Sequence, residues 1–170
     1  MGASGAKCRL AELRVGTAFD AHRLVPGLPL VLGGVTIPHA YGLEGHSDAD
    51  IVCHALCDAL LGAACMDDIG TMFPSSDDRW AGARSLDLLA EAWTCIAGEG
   101  WAVVNVDAFV ILAAPKLAPY RDEMRAQVAG ALQCEPGCVS VRATGTDGLG
   151  FTGRGEGAAC QAVALITRAP

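Results

Sequence analysis

The chain has 170 residues, 52% of them apolar and only 5% aromatic, with eight cysteines and a formal net charge of −7. That length makes one domain with a real core, and the acidic balance argues against nucleic-acid or anionic-membrane partners, both of which want a basic face. A mean hydropathy of +0.35 is high for a monomer and points to apolar surface buried between subunits.

Residues 1–13 are small and polar without an apolar signal core, and read as a flexible tail, a trimmed transit segment or a fusion scar. The fold is therefore expected over 14–168 as a single domain. Eight cysteines without a secretory signal fit a reducing compartment. Neither Cys53 with Cys57 nor Cys134 with Cys138 makes a C-x-x-C pair, and both pairs read as small buried hydrophobes rather than zinc ligands. Residues 51–65 are too short for a membrane span and carry His54 and Asp58.

Arg14 to Ala18 predicts a short strand ending in Phe19-Asp20-Ala21-His22. Strand rise would place Asp20 and His22 on one face about 7 Å apart, half of a metal site by residue type. Leu30–Leu32, Gly33-Gly34 and Val35–Ile37 predict a tight hairpin. The central stretch, Glu44 to Met66, begins with Ser47 as the first half of a capping box, Asp50 taking the third helical position. Asp50, His54 and Asp58 then form one polar ridge beside an apolar stripe of Ile51, Val52, Ala55, Leu56, Ala59 and Leu60. His46 lies just outside, where free N–H groups and the dipole favour an anion. Two readings stay open here: an ordinary amphipathic helix with a satisfied histidine, or one with an anion seat at its tip and a ligating imidazole beyond.

The polar segments Asp67–Gly70 and Phe73–Asp77 read as a binding loop or a plain connection. A second helix is predicted from Ser85 to Gly98 or Gly100, a long, largely buried strand over Trp101–Leu112, and a third helix from Pro119. Val139–Ala143 and Ala158–Ile166 read as strands. Between them the glycine-rich 144–157 lacks the Lys-Ser/Thr of a Walker A loop and the βα setting of a dinucleotide fingerprint. The order implies an α+β fold: a mixed β-sheet with helices packed on one face and a small hairpin. Asp20, His22 and His54 together would make an O/N/N zinc set with an open fourth position. A metal beside an anion seat points to phosphoryl chemistry.

The motifs FDAH (19–22), GHSDADIVCHALCDALLGA (45–63), DIG (68–70), FPSSD (73–77), APK (114–116) and TDGLGFTGRGEG (146–157) occur in collinear order. On them the chain resembles the 2-C-methyl-D-erythritol 2,4-cyclodiphosphate synthases of the non-mevalonate isoprenoid pathway. That resemblance implies a homotrimer, its sheets facing the three-fold axis and its active sites between subunits, in the bacterial cytoplasm or in a plastid. The substrate would be 4-diphosphocytidyl-2-C-methyl-D-erythritol 2-phosphate, whose 2-phosphate attacks the β-phosphorus with loss of CMP. Asp20, His22 and His54 would hold zinc. Asp20, Ala21, His22, His46 and Ser47 would contact the substrate, with His46 stabilising the transition state. Asp68, Ile69, Gly70, Phe73, Pro74, Ser75, Ser76 and Asp77 would hold the methylerythritol part.

The neighbouring subunit would supply Leu112, Ala113, Ala114, Pro115, Lys116, Leu117 and Ala118 for the cytidine. Thr144, Gly145, Thr146 and Asp147 would meet the cytidine and diphosphate, Asp147 also holding magnesium or manganese. Phe151 and Arg154 would border an axial cavity open to an isoprenoid diphosphate. Gly145 stands where the family usually has a catalytic threonine, Arg142 where lysine is common, and Thr17-Ala18 replaces a frequent His-Gly. Two alternatives therefore stand beside an active synthase: a metal- and nucleotide-binding homologue impaired at Gly145, and a different metal-dependent phosphohydrolase.

Overall fold

The computed structural model describes residues 11–168. Its spine is strand β1 (Glu12–Pro26), paired antiparallel with β7 (Gly157–Arg168) from Glu12↔Arg168 to Arg23↔Gly157. β7 pairs antiparallel on its other side with β5 (Ala102–Ile111), and β5 pairs parallel with β6 (Val139–Thr144). The short β4 (Tyr41–Leu43) closes the remaining edge against the end of β1, giving the order β4-β1-β7-β5-β6. β2 (Leu30–Leu32) and β3 (Val35–Ile37) form the separate hairpin expected at Gly33-Gly34.

All three main helices lie on one face. α1 (Ile51–Ala64) crosses β1 and β7, α4 (Arg121–Ala131) covers β6, and α3 (Ser85–Gly98) packs against both helices. Small residues let α1 sit close to the sheet. A Cβ on Gly16 would lie 1.9 Å from the Ala59 carbonyl oxygen and 2.6 Å from the Ala63 nitrogen, so only glycine fits there. Ala158, Cys160, Ala162, Ala164 and Ile166 of β7 are buried on the same side, where the core is built. Among the described residues nothing covers the opposite face, which is apolar: Leu13, Val15 and Phe19 are 61, 68 and 61% exposed. The α+β class, the mixed sheet and its one-sided helices agree with the expectation, and Cys53 and Cys57 are buried small hydrophobes as read.

Several boundaries differ. The first strand already includes Glu12 and Leu13, which pair with Arg168 and Thr167; residues 1–10 of the expected tail lie outside the described residues. β1 continues to Pro26, so Asp20 and His22 stand in mid-strand. The strand over 102–111 is buried on alternate residues toward its end and not throughout. The polar stretch after α1 contains a helical turn, α2 (Ile69–Met72), and the glycine-rich 144–157 contains another, α5 (Gly150–Gly153). Pro119 opens a 3-10 turn that leads into α4.

The start of α1 is the main correction. Asp50, not Ser47, is the N-cap: its buried carboxylate accepts the N–H groups of Val52 and Cys53, and those of Gly33 and Gly34 from the hairpin. The helix end is thus already occupied by a carboxylate from the chain itself. It offers no free anion seat of the kind expected there.

Candidate metal centre and active site

The two-residue period of β1 turns Asp20 and His22 toward α1, and the first turn of α1 brings His54 to meet them. Asp20 Oδ2 lies 3.2 Å from His22 Nε2 and 3.1 Å from His54 Nδ1. All three groups are half-buried, and their ligand atoms fall within 4.8 Å of one another, the one such three-residue cluster among the described residues. Gly45 makes room for the His22 ring, since a Cβ there would stand 3.1 Å from its Cε1. Burial alone would raise the Asp20 carboxyl. Hydrogen bonds from His22 and then His54 override that and hold it well below the usual carboxylate range. The hydrogen bond with Asp20 raises His22 in turn, against the opposing effect of burial.

Hydrogen directions say what the cluster accepts. His22 Nδ1 lies 2.6 Å from the Glu44 carbonyl oxygen and must donate to it, which leaves the Nε2 lone pair facing the Asp20 carboxylate. Acceptors turned on one another in this way are stable only around a proton or a metal cation. One carboxylate and two neutral imidazoles suit zinc, and a carbonyl-fixed ring is the usual support of a ligating histidine. The residues present fit such an ion with one position left open.

That position opens on a cavity of about 260 Å³ lined by Asp20, His22, His54, His46 and Ser47, and by Ile69, Gly70, Phe73 and Ser75 from the two predicted loops. Three further residues lining this cavity, Asp58, Trp80 and Leu88, were not assigned a role from sequence, nor was Ser85, which touches Ser47 and His54 from behind them. Asp58 stood on the predicted ridge; its carboxylate accepts the Ile69 N–H at 2.7 Å and so ties α1 to α2. Burial raises its carboxyl above the ordinary range. In the sequence Ser85 reads as an ordinary helix start, and nothing singles out Trp80 or Leu88.

Other expected residues lie elsewhere. Asp68 caps α2 through the Thr71 N–H, and Asp77 holds Arg79, so both carboxylates are engaged locally. Pro74 and Ser76 are not among the residues lining the cavity. Leu112, Ala113, Pro115, Lys116, Leu117, Ala118, Thr144 and Gly145 line a second cavity of about 340 Å³, joined by Arg121, which the sequence did not single out. Ala114 sits within that run and Thr146 just beyond it, the Thr146 hydroxyl donating to the Leu149 carbonyl. Asp147 is exposed, with a left-handed backbone (φ 50°), and joins no three-ligand cluster among the described residues. Ala21 and Phe151 border a third cavity with Glu156, which pairs with Arg154 at 2.8 Å.

The family model for the YgbB family matches residues 13–167. The chain belongs to that family. It is 54% identical over 154 residues to the 2-C-methyl-D-erythritol 2,4-cyclodiphosphate synthase of Pelotomaculum thermopropionicum, covering 91% of this chain and 95% of the relative. A solved 2C-methyl-D-erythritol-2,4-cyclodiphosphate synthase in a CDP-bound form superposes with a TM-score of 0.83 at 34% identity, over 90% of this chain and 99% of that one. The bifunctional IspDF of Campylobacter jejuni gives a TM-score of 0.90 at 36% identity, covering 94% of this chain but 43% of that one. YgbB membership at this identity makes the chain an enzyme, a lyase acting on phosphorus–oxygen bonds, as its motifs implied.

Proposed function

We propose that the chain converts 4-diphosphocytidyl-2-C-methyl-D-erythritol 2-phosphate to 2-C-methyl-D-erythritol 2,4-cyclodiphosphate and CMP. The observation that carries this reading is the Asp20–His22–His54 cluster opening on a cavity whose walls also hold His46 and Ser47. A zinc ion held by those three residues would neutralise phosphate charge at the open position. His46 and the Ser47 hydroxyl donate to phosphate oxygens from the same wall. Ile69, Gly70 and Phe73 hold the five-carbon unit, so that the 2-phosphate and the β-phosphorus share one cleft. Both groups belong to one molecule, and holding them in line for attack removes the orientational part of the barrier.

The active unit in this reading is a homotrimer, its bare sheet faces turned to the three-fold axis. Two features support it: the exposed Leu13, Val15 and Phe19, and the separation of the Leu112–Ala118 and Thr144–Gly145 cavity from the metal cluster within one chain. A neighbour's second cavity then takes the cytidine, in keeping with the CDP-bound relative. Its Asp147, alone in one chain, contributes to a magnesium or manganese site completed by the substrate's phosphates. Phe151 and Arg154 border the axial space open to an isoprenoid diphosphate.

Incubating the purified chain with the substrate, zinc and magnesium tests the reading. CMP and the cyclic diphosphate are the expected products. Inorganic phosphate would show a phosphohydrolase instead, and substrate retained unchanged would show a homologue impaired at Gly145.

A further inference from the structure

The second nitrogen of His54 meets an unusual partner. His54 Nε2 lies 3.0 Å from Ser47 Oγ and 2.9 Å from Ser85 Oγ, and the two hydroxyl oxygens are 3.0 Å apart. A hydroxyl can donate or accept, so neither serine alone decides which nitrogen of the ring carries hydrogen. Asp48 decides it. Its Oδ1 lies 2.5 Å from Ser85 Oγ and 3.1 Å from the Ser85 backbone nitrogen, and a carboxylate can only accept. Ser85 must therefore give its proton to Asp48, which leaves its oxygen as an acceptor and requires hydrogen on His54 Nε2. Ser85 is 1% exposed, so water does not compete for this chain of bonds.

We propose that Asp48 and Ser85 are positioning residues that hold His54 as its Nε2–H form and so aim the Nδ1 lone pair at Asp20 and the metal. The inference rests on reading Asp20, His22 and His54 as a metal site. It also separates two neighbouring serines: Ser85 gives its proton to Asp48, whereas Ser47, whose oxygen accepts the Ala49 N–H at 3.2 Å, donates to the Ser85 oxygen at 3.0 Å and can turn that proton to a ligand. His22 is fixed by a backbone carbonyl that can only accept; His54 reaches an equivalent acceptor through one hydroxyl.

Zinc affinity of the full chain, measured by chelator competition, is expected to fall about 10- to 100-fold in Ser85→Ala. Asp48→Ala frees the Ser85 hydroxyl to donate to the ring and is expected to fall alike. Asp48→Asn keeps an acceptor oxygen and is expected to bind zinc like the native chain, which a purely charge-based role would not predict. In the zinc-loaded native protein the His54 Nε2–H is expected to exchange slowly with solvent by nitrogen-15 NMR, and fast in Ser85→Ala. Native affinity together with native exchange in Ser85→Ala would overturn the relay alone, provided His54→Ala loses zinc. Zinc held as tightly by His54→Ala would instead overturn the metal-site reading, and the proposal with it.

Discussion

At the scale of single residues, the metal-free cluster is a set of acceptors whose charge balance depends on pH. Asp20 is held ionised by its two histidines, so it binds no proton near neutrality, whereas Asp20 raises His22 and makes it hold a proton more firmly than a free imidazole. A metal must displace that proton. Zinc affinity is therefore expected to rise with pH, by up to about tenfold per unit below the raised His22 value, and to level off above it. Chelator competition across the acidic and neutral range checks this, and a flat profile would contradict it. Gly145 gives a second test. A Cβ there would meet only the Leu112 carbonyl oxygen, at 3.8 Å, an ordinary contact, so a side chain can start at this position without moving the loop. If the missing hydroxyl limits turnover, Gly145→Thr should raise kcat by up to about 10² with zinc content unchanged. An unchanged or lower kcat would show that the neighbouring groups already supply the contact.

Among elements, the decisive contact is α1 on β1. The period of β1 was legible from its residues, and with it the shared face of Asp20 and His22. The ridge carrying His54 was legible too, because helical spacing depends only on neighbours along the chain. What could not be read was which of Ser47 and Asp50 caps the helix. Both are good caps three residues apart, and the choice falls to Asp50 because the Gly33 and Gly34 N–H groups also need its carboxylate. The Ser85 and Asp48 contacts were hidden for the same reason, since α3 must first pack beside α1 to bring Ser85 to a ring 31 residues away. The close approach itself is open to measurement. Gly16→Ala would force a Cβ into the α1 backbone and should cost about 3 kcal/mol. A clear fall in the thermal midpoint is expected, and an unchanged midpoint would mean that α1 can retreat freely.

For the whole molecule, composition hinted at buried interfaces through a high mean hydropathy, and the single chain indeed leaves one sheet face apolar and open. Composition could not say which face, because β1 alternates small or polar residues with large apolar ones and either set could have met the helices. Gly16 and Ala18 go under α1; Leu13, Val15 and Phe19 go outward. If that outward face joins three copies, Phe19→Glu should break the trimer, since a charge would be buried without a partner. Light scattering after size-exclusion chromatography would show monomers, with zinc still bound by each chain's own three ligands. A trimer unaffected by Phe19→Glu would place the interface elsewhere.

The proposed chemistry turns on a single ion at a single place. Anomalous diffraction at the zinc edge, on crystals grown from purified chain supplied with zinc, tests it most directly. It predicts one strong peak per chain, about 2.0–2.2 Å from Asp20 Oδ2, His22 Nε2 and His54 Nδ1. A peak away from those three atoms, or none with the cluster intact, would contradict it.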